Sequence, residues 1–388
     1  MTVMPLLLLT VGAVNWGYIY PVVFLFFALL VPRLSGRPCY FNFLYSPCFW
    51  LLFGAGISYV AIGMRKIPAL YHYGILPAVA YAIGWLAAEE HTDEQIRDGM
   101  LALTAGFGIY ASLNMVVNIG NNRYRLIDFW TRSYRAATGS GSLNTLLVSS
   151  AVYTVKFEKR LTVKIFFLIL LTLSFQYMFM LGTRTQFAVF LVVTLLAVLY
   201  LAYVKQGIAG MLKCLAVIIL SAGVLLLMYW LNIFSVKDYI SGTNLAARYT
   251  RRASLANADA FRFQGFWTGL RELVQYPLGC RAAQPYRHNM WLDVGRVSGI
   301  IPFALLLIYS VKNFRSVLEI WRNTDVIPGL RYLLLFLYMG AYANCFVEPI
   351  WEGTLNFFLA VCVMDGMVGA KIRSLRSERF AEKDTPFA

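Results

Sequence analysis

Long apolar runs separated by short polar segments dominate the hydropathy pattern of this chain. A transmembrane helix needs about 20 mostly apolar residues. Eleven runs reach or approach that length, and they occupy residues 5–31, 49–64, 67–88, 100–119, 143–155, 161–181, 187–204, 211–233, 290–311, 332–346 and 354–367. The first run is interrupted at Asn15 and Pro21, so it accommodates either one helix or two. The pattern predicts an all-α polytopic integral membrane protein with 11–12 transmembrane helices in a single membrane domain, residues 1–388.

The amino-acid composition excludes a soluble enzyme. Hydrophobic residues make up 59% of the chain and charged residues only 14%, whereas a soluble domain carries about 25% charged residues. The 34 Lys and Arg against 19 Asp and Glu give a formal net charge of +15. A basic chain can bind nucleic acid, but runs that cross a bilayer make membrane lipids the expected surroundings and nucleic acid an unexpected partner.

The positions of Lys and Arg at the ends of the runs predict the orientation, because cytoplasmic loops retain them. Five such residues within the tail 371–383 place the C-terminus inside. Counting back along the runs also places the basic stretches 312–322 and 156–160 inside. The same count puts Arg65 outside and the acidic turn 89–98 inside, which fits less well, although acidic residues contribute little to this rule.

Two segments that this topology places outside are rich in arginine, where the rule predicts few cations. The basic outer loop, residues 120–142, carries four Arg against one Asp. The large outer loop, residues 235–288, carries eight cations, seven of them Arg, against three acidic residues, and we expect it to be partly helical and periplasmic. One interpretation is an ordinary solvated surface. The other is a site for a lipid-linked diphosphate, because planar guanidinium groups suit two-point contact with phosphate.

Motifs for metal and nucleotide chemistry are missing from the sequence. The six cysteines are scattered, without a C-x-x-C pair or a His/Cys cluster. Neither a P-loop, nor a dinucleotide fingerprint, nor a G-x-S-x-G elbow occurs. We therefore expect no metal ion and no cofactor, and nucleotide-driven transport and serine-hydrolase chemistry are disfavoured.

His288 is the strongest candidate for acid–base chemistry among the three histidines. His72 falls in an apolar run and His91 in the acidic turn, whereas His288 stands where the large outer loop re-enters the membrane. Neutral imidazole accepts protons near neutral pH, so His288 is a candidate general base. The alternative is a surface histidine at a helix start. Its polar neighbours are Arg287, Asn289 and, on the first turn of the next helix, Asp293.

Arg184 and Glu348 stand at other predicted outer turns. Arg184 lies between two apolar runs. It either snorkels to the membrane surface or serves a function at a depth where ionisable residues are costly. Glu348 precedes Pro349 and either pairs with the arginines or caps a helix that begins at this proline.

Four ordered motifs carry a resemblance to a known family. They are GTRTQ with Arg184, FRFQGFW with Arg262 and Trp267, YPLGC with Pro277 and Gly279, and RHNMWLDVGRVSGIIP with His288, Asn289 and Gly299. With these motifs in this order over roughly residues 174–302, the chain resembles the O-antigen ligase/polymerase superfamily of bacterial envelope glycosyltransferases. Many members have Glu before the last glycine of the His-Asn helix, whereas this chain has Arg296 in that region, so no acidic function is transferred there.

The resemblance implies metal-independent glycosyl transfer at the periplasmic face of the bacterial inner membrane. The donor would be an oligosaccharide on undecaprenyl diphosphate, the acceptor another glycan or lipid A-core, and a chain-length regulator a further partner. His288 would take the proton from the attacking hydroxyl. The residues expected to bind the diphosphate are Arg184 and Arg262, followed by Arg287 and Arg252, and the expected supporting residues are Asn289, Asp293 and Glu348.

Two activities within this family and one outside it fit the sequence. A polymerase transfers the glycan to another lipid-linked repeat unit, and two basic outer loops suit an enzyme that binds two diphosphates, so we favour it. A ligase transfers the glycan to lipid A-core. A flippase or secondary transporter for a lipid-linked or anionic substrate would place ionisable residues deep in the membrane, whereas the ionisable residues of this chain concentrate at the outer rim.

Overall fold

The fold consists almost entirely of helices. The computed structural model describes residues 41–64, 66–119, 125–250, 252–279 and 281–383, so the predicted run 5–31 lies outside the described residues. A two-stranded antiparallel hairpin, β1 Arg125–Ile127 and β2 Tyr134–Ala136, is the exception within the described part. Apart from the single turn Ile67–Ala69 and the short 3-10 and π-helical segments, the helices are α1 Pro47–Tyr59, α2 Leu76–Ala88, α3 Asp93–Val117, α4 Ala137–Ser142, α5 Thr145–Ser149, α6 Ala151–Lys156, α7 Leu161–Leu181, α8 Arg184–Trp230, α9 Val236–Ser241, α10 Asn244–Thr250, α11 Arg252–Gln275, α12 Met290–Ser298, α13 Ile300–Arg322, α14 Pro328–Val347, α15 Ile350–Gly353 and α16 Leu355–Lys383.

Seven helices of the described part are long and apolar enough to cross a membrane. They are α1 with its π-helical continuation Val60–Met64, α3, α7, α8, α13, α14 and the part of α16 that ends at Glu378. The all-α polytopic architecture predicted from the hydropathy pattern is therefore confirmed.

Two apolar runs differ from a single straight α-helix. Residues 143–155 fold mainly into the short helices α5 and α6, in which most side chains are buried. Residues 67–88 contain the π-helical segment Leu70–Ile75 before α2, in which nearly every residue is buried. A segment is apolar either because it is buried inside the protein or because it contacts lipid. Hydropathy alone does not distinguish these two environments.

Helix α8 contains a glycine break at its midpoint. Gly207 has φ 64° and ψ −154°, a conformation that an L side chain rarely adopts. Beyond α8 the chain returns to the last turn of α7, where the side-chain amide of Asn244 donates to the carbonyl of Met180 at 2.7 Å. Because the break at Gly207 lies between the predicted runs 187–204 and 211–233, each half of α8 corresponds to one of those runs. Within the half that follows Gly207, only Gly210 is buried.

A second glycine break separates α12 from α13. Gly299 has φ 81°, and a Cβ at this position would lie 2.0 Å from the carbonyl oxygen of Pro277. Gly279, with φ 68°, faces it, since a Cβ there would lie 2.4 Å from the nitrogen of Gly299. The N–H of Ile300 donates to the Pro277 carbonyl at 2.9 Å. The predicted run 290–311 is therefore wrong as one helix: α12 is wholly buried, and the crossing helix begins after Gly299.

The large outer loop is partly helical, as predicted, and contains α9, α10 and α11. Two small residues of α11 allow close packing. A Cβ on Gly265 would lie 3.6 Å from the carbonyl oxygen of Arg287, and one on Gly269 would lie 3.3 Å from the Arg287 side chain and 3.2 Å from that of Leu292. Glu272, on the same helix, binds the Arg287 guanidinium. Helix α11 is thus fixed against the segment that carries His288.

The basic outer loop contains the β1–β2 hairpin, and its first residues lie outside the described part. Asn118, at the end of α3, donates to the carbonyl of Ile127 at 2.8 Å and accepts its N–H at 2.9 Å. Asp128, between the strands, accepts the hydroxyl of Tyr110 at 2.5 Å. These side chains of α3 anchor the hairpin to one end of the helical bundle.

The stretches predicted to be cytoplasmic meet at the opposite end of the bundle, which we call the distal end. Arg160, before α7, pairs with Asp98 at 2.8 Å. Asp93, at the start of α3, pairs with Lys371 at 2.8 Å and accepts the N–H of Ile327 at 2.9 Å. Helices α3 and α14 begin at this end and finish beside the hairpin and His288, respectively. Which membrane face the distal end occupies stays a prediction.

Candidate functional site

His288 lies in a backbone turn whose two neighbouring residues are fixed by hydrogen bonds. Its φ is 53°, in the left-handed region that few residues other than glycine adopt. The buried carboxylate of Asp293 accepts the N–H of Arg287 at 2.7 Å and that of Asn289 at 3.2 Å. The Asn289 side chain caps α12 and donates to the carbonyl of Phe346 at 3.1 Å. Such backbone outliers cluster at functional sites, where neighbouring contacts enforce them.

The carboxylate of Glu348 lies beside the imidazole. His288 Nδ1 is 3.6 Å from Glu348 Oε2, and the two side chains are 29% and 2% exposed. The other carboxylate oxygen, Oε1, accepts the hydroxyl of Thr185 at 2.6 Å. This bond joins the end of α14 to the first turn of α8, where Arg184 is the first residue. A partly exposed imidazole beside a buried carboxylate is the arrangement of a general base with an orienting acid.

Arg184 lies at the same end of the bundle as His288. It is half-buried, and no carboxylate of the described residues forms an ion pair with it. Gly141, near the end of the basic outer loop, packs against the same turn: a Cβ there would lie 2.6 Å from Gln186 and 2.7 Å from Thr183. The structure therefore places Arg184, His288, Glu348 and the end of the basic outer loop at the same end of the bundle.

Arg287 forms a buried two-point ion pair. Its Nε and Nη2 donate to the two oxygens of Glu272 at 3.0 and 2.7 Å. The side chains of Arg287 and Glu272 are 8% and 9% exposed. The pair occupies the edge of the guanidinium that would otherwise contact a phosphate, and it ties α11 to the residue before His288. Arg287 thus positions the site, and its predicted contact with diphosphate stays a prediction.

Arg252 and Arg262 belong to α11, and their side chains lie outside what the structure describes. The same helix approaches the end of α14, since the rings of Phe266 and Phe346 lie 5.9 Å apart. Helix α11 therefore reaches the neighbourhood of Glu348 one turn beyond Arg262. The diphosphate-binding role of both arginines stays a prediction.

Arg296, to which the sequence analysis assigns no role, organises the segment before His288. Its Nη2 donates to both oxygens of Glu352 at 3.1 and 2.8 Å, and its Nε lies 3.4 Å from Asp293 Oδ1. The three-residue spacing from Asp293 is the one sequence signal for this role. Its Nη1 donates to three main-chain carbonyls at 2.9–3.0 Å, those of Arg281, Ala282 and Gln284.

Burial controls the protonation of the two carboxyl groups that face Arg296. For Glu352, burial outweighs the attraction of Arg296 and raises the pKa to about 7. Burial also raises the pKa of Asp293 above its usual range, although the N–H of Arg287 and the charge of Arg296 act in the opposite direction. The charge around Arg296 therefore changes near neutral pH.

Comparison with known proteins gives no family assignment: no family model matches the chain, and no curated protein shows significant sequence similarity to it. Among the residues that the structure describes, no group of three His, Cys, Asp or Glu side chains is placed to hold a metal ion.

Proposed function

We propose that this chain is a membrane glycosyltransferase of the polymerase type. It would transfer a glycan from undecaprenyl diphosphate to a hydroxyl of another lipid-linked repeat unit. The observation that supports this most is the His288 turn: a left-handed backbone presents a partly exposed imidazole whose Nδ1 lies 3.6 Å from the buried Glu348 carboxylate. With Nδ1 directed at Glu348, Nε2 is the atom that would accept a proton from the substrate.

In this proposal the acceptor hydroxyl attacks the anomeric carbon of the donor. The new glycosidic C–O bond forms as the bond between that carbon and the diphosphate oxygen breaks. The electron pair of the broken bond leaves with the lipid diphosphate. His288 Nε2 takes the hydroxyl proton, and the charge of Glu348 stabilises the resulting imidazolium. A positioned general base typically contributes about 10²–10⁴-fold to the rate.

Arg184 is the candidate ligand for the leaving diphosphate. It begins a long helix, so the positive end of the helix dipole adds to its own charge. The bond between Thr185 and Glu348 keeps this helix end beside the proposed base. Arg262 of α11 would supply a second cation. Cations already in place where negative charge develops lower the barrier without further reorganisation.

Replacement of His288 by Ala tests the catalytic assignment in cells that depend on the variant for their envelope glycan. We expect long-chain glycan to be lost, leaving a single repeat attached to the core on a gel. His91→Ala is the matched control, because His91 lies in the turn before α3 at the distal end. An unchanged long-chain pattern in the His288 variant would refute the assignment.

The same gel separates the polymerase from the ligase. If His288→Ala removes all glycan from the core while long chains accumulate on the lipid carrier, the protein is a ligase. The reaction steps above are unchanged in that case, and only the acceptor differs.

One buried residue favours the transporter alternative. Asp365 of α16 is fully buried and accepts the hydroxyls of Tyr309 at 2.5 Å and Tyr338 at 2.6 Å. Ionisable groups inside the membrane often mark transport pathways. Purified protein in detergent has no gradient to use, so glycan transfer between lipid-linked substrates under these conditions supports the enzyme. Its absence in a folded preparation would favour transport.

A further inference from the structure

A cavity of about 560 Å³ opens at the distal end between α13 and α16. Four cations line it, Lys312 and Arg315 from α13 and Arg373 and Arg376 from α16. The single carboxylate in its wall is Glu319, which pairs with Arg376 at 2.9 Å. Like charges gathered around one cavity repel one another, and a bound anion relieves that repulsion.

The remaining three cations keep their charge uncompensated within the described part of the chain. Lys312 and Arg315 are exposed and form no ion pair with a described carboxylate. Arg373 donates to the carbonyl of Asn42 at 3.3 Å and lies 5.9 Å from the ring centre of Tyr45, and neither contact supplies a negative charge. The cavity therefore offers an excess of positive charge to a ligand.

The cavity lies at the depth where the apolar part of α13 ends. Residues 300–311 contain no charged side chain, and Lys312 and Arg315 follow on the next turn. Tyr45, which is exposed beside Arg373, is an aromatic residue of the kind that gathers at membrane interfaces. Phospholipid headgroups occupy this level of a bilayer, so a lipid of the surrounding leaflet would approach the cavity laterally.

We propose that this cavity binds the headgroup of an anionic phospholipid, with Lys312 and Arg315 contacting the phosphate. Basic pockets between transmembrane helices are suited to such headgroups. The distal end is the end predicted to face the cytoplasm, so the lipid would come from the cytoplasmic leaflet. Since His288 lies at the other end of the bundle, this site is independent of the proposed glycosyl transfer.

A titration of the detergent-purified full-length protein tests the proposal. The ligands are dioctanoyl phosphatidylglycerol, dioctanoyl phosphatidylcholine and inorganic phosphate, and native mass spectrometry measures the bound fraction. We expect phosphatidylglycerol alone to be retained. The double variant Lys312→Gln, Arg315→Gln should bind it about 30-fold more weakly, since each cation contributes appreciably to attraction of an anionic headgroup. If that variant does not fold, Arg315→Gln alone should weaken binding about fivefold.

A matched double variant, Lys159→Gln with Lys213→Gln, removes two exposed positive charges outside the cavity. It should bind phosphatidylglycerol like the unmodified protein. An equal loss in this control would indicate diffuse attraction to the surface and overturn the proposal. Undiminished binding by the Lys312, Arg315 variant would do the same. If inorganic phosphate binds as tightly as the lipid, the ligand is a soluble anion and the lipid assignment is wrong.

Discussion

Asp293 holds the backbone on both sides of His288. Its two oxygens accept the N–H groups of the preceding and the following residue, so the turn cannot relax without breaking both hydrogen bonds. An unusual backbone conformation persists only when its surroundings enforce it. The presentation of the imidazole therefore depends on Asp293 at the start of α12 as well as on the ion pair of Arg287 with Glu272.

Replacement of Asp293 by Ala should destabilise the protein and abolish transfer. The change leaves two buried N–H groups without an acceptor, each at a cost of about 1–3 kcal/mol, so the free energy of unfolding should fall by about 2–6 kcal/mol. Asp293→Asn keeps one acceptor oxygen and should give an intermediate loss. Unfolding in detergent and the rate of transfer are the measurements. Full activity in Asp293→Ala would contradict the positioning role.

Replacement of Glu348 by Gln should lower the transfer rate roughly 10²-fold, because the amide cannot stabilise an imidazolium. The Gln side chain still offers an oxygen to Thr185, so the variant isolates the loss of charge. Thr185→Val removes only the hydrogen bond and should lower the rate about tenfold. Initial rates with lipid-linked donor distinguish the two. Equal rates for Glu348→Gln and the unmodified protein would rule out a catalytic role for the pair of His288 and Glu348.

The close approach of Gly279 and Gly299 predicts that glycine substitutions differ sharply in their effect on stability. Gly299→Ala should lower the free energy of unfolding by at least about 2 kcal/mol, because positive φ costs about 1–2 kcal/mol and the new Cβ would lie 2.0 Å from the Pro277 carbonyl oxygen. Gly223→Ala is the control, since nothing lies within 4 Å of its Cβ position. Within a helix that change should be neutral or slightly stabilising. Similar losses in both variants would contradict this account.

Glu352 should make stability depend on pH. The pKa of the Glu352 carboxyl is raised from 4.5 to about 7 in the folded state, so the folded protein binds this proton more tightly than the unfolded chain does. The resulting stabilisation is fully present below pH 4.5 and is lost as the pH rises through about 7. The loss amounts to at most about 3 kcal/mol. The free energy of unfolding should differ less between pH 5 and pH 8 in Glu352→Gln than in the unmodified protein. An unchanged difference would exclude Glu352 as the source.

The crossing helices were largely predictable from the sequence. A helix in hydrocarbon must satisfy every backbone polar group within one continuous apolar segment, and this leaves a clear pattern. Residues 161–181 form α7 with the predicted bounds. The pattern misleads for residues 143–155 and for α12, because side chains enclosed by protein are as apolar as those that face lipid.

The residues of the candidate site could be proposed from the sequence, but their contacts could not. Arg184, His288 and Glu348 are separated widely in the sequence, yet the bond from Thr185 to Glu348 brings their turns together. The division of labour among arginines depends on tertiary packing. Glu272 engages Arg287, while the carbonyls before His288 converge on Arg296. Spacing in the sequence carries no information about carbonyls gathered by a folded loop.

The half of α8 beyond Gly207 is an arm with little contact to the rest of the protein. Its 23 residues, 208–230, span about 34 Å, slightly more than the roughly 30 Å hydrocarbon thickness of a typical membrane. With almost no side chains buried against the protein, this arm adjusts to hydrophobic mismatch by tilting. Because the ion pair of Glu272 with Arg287 holds α11 against the segment that carries His288, the arm can take up a change in membrane thickness without moving that contact.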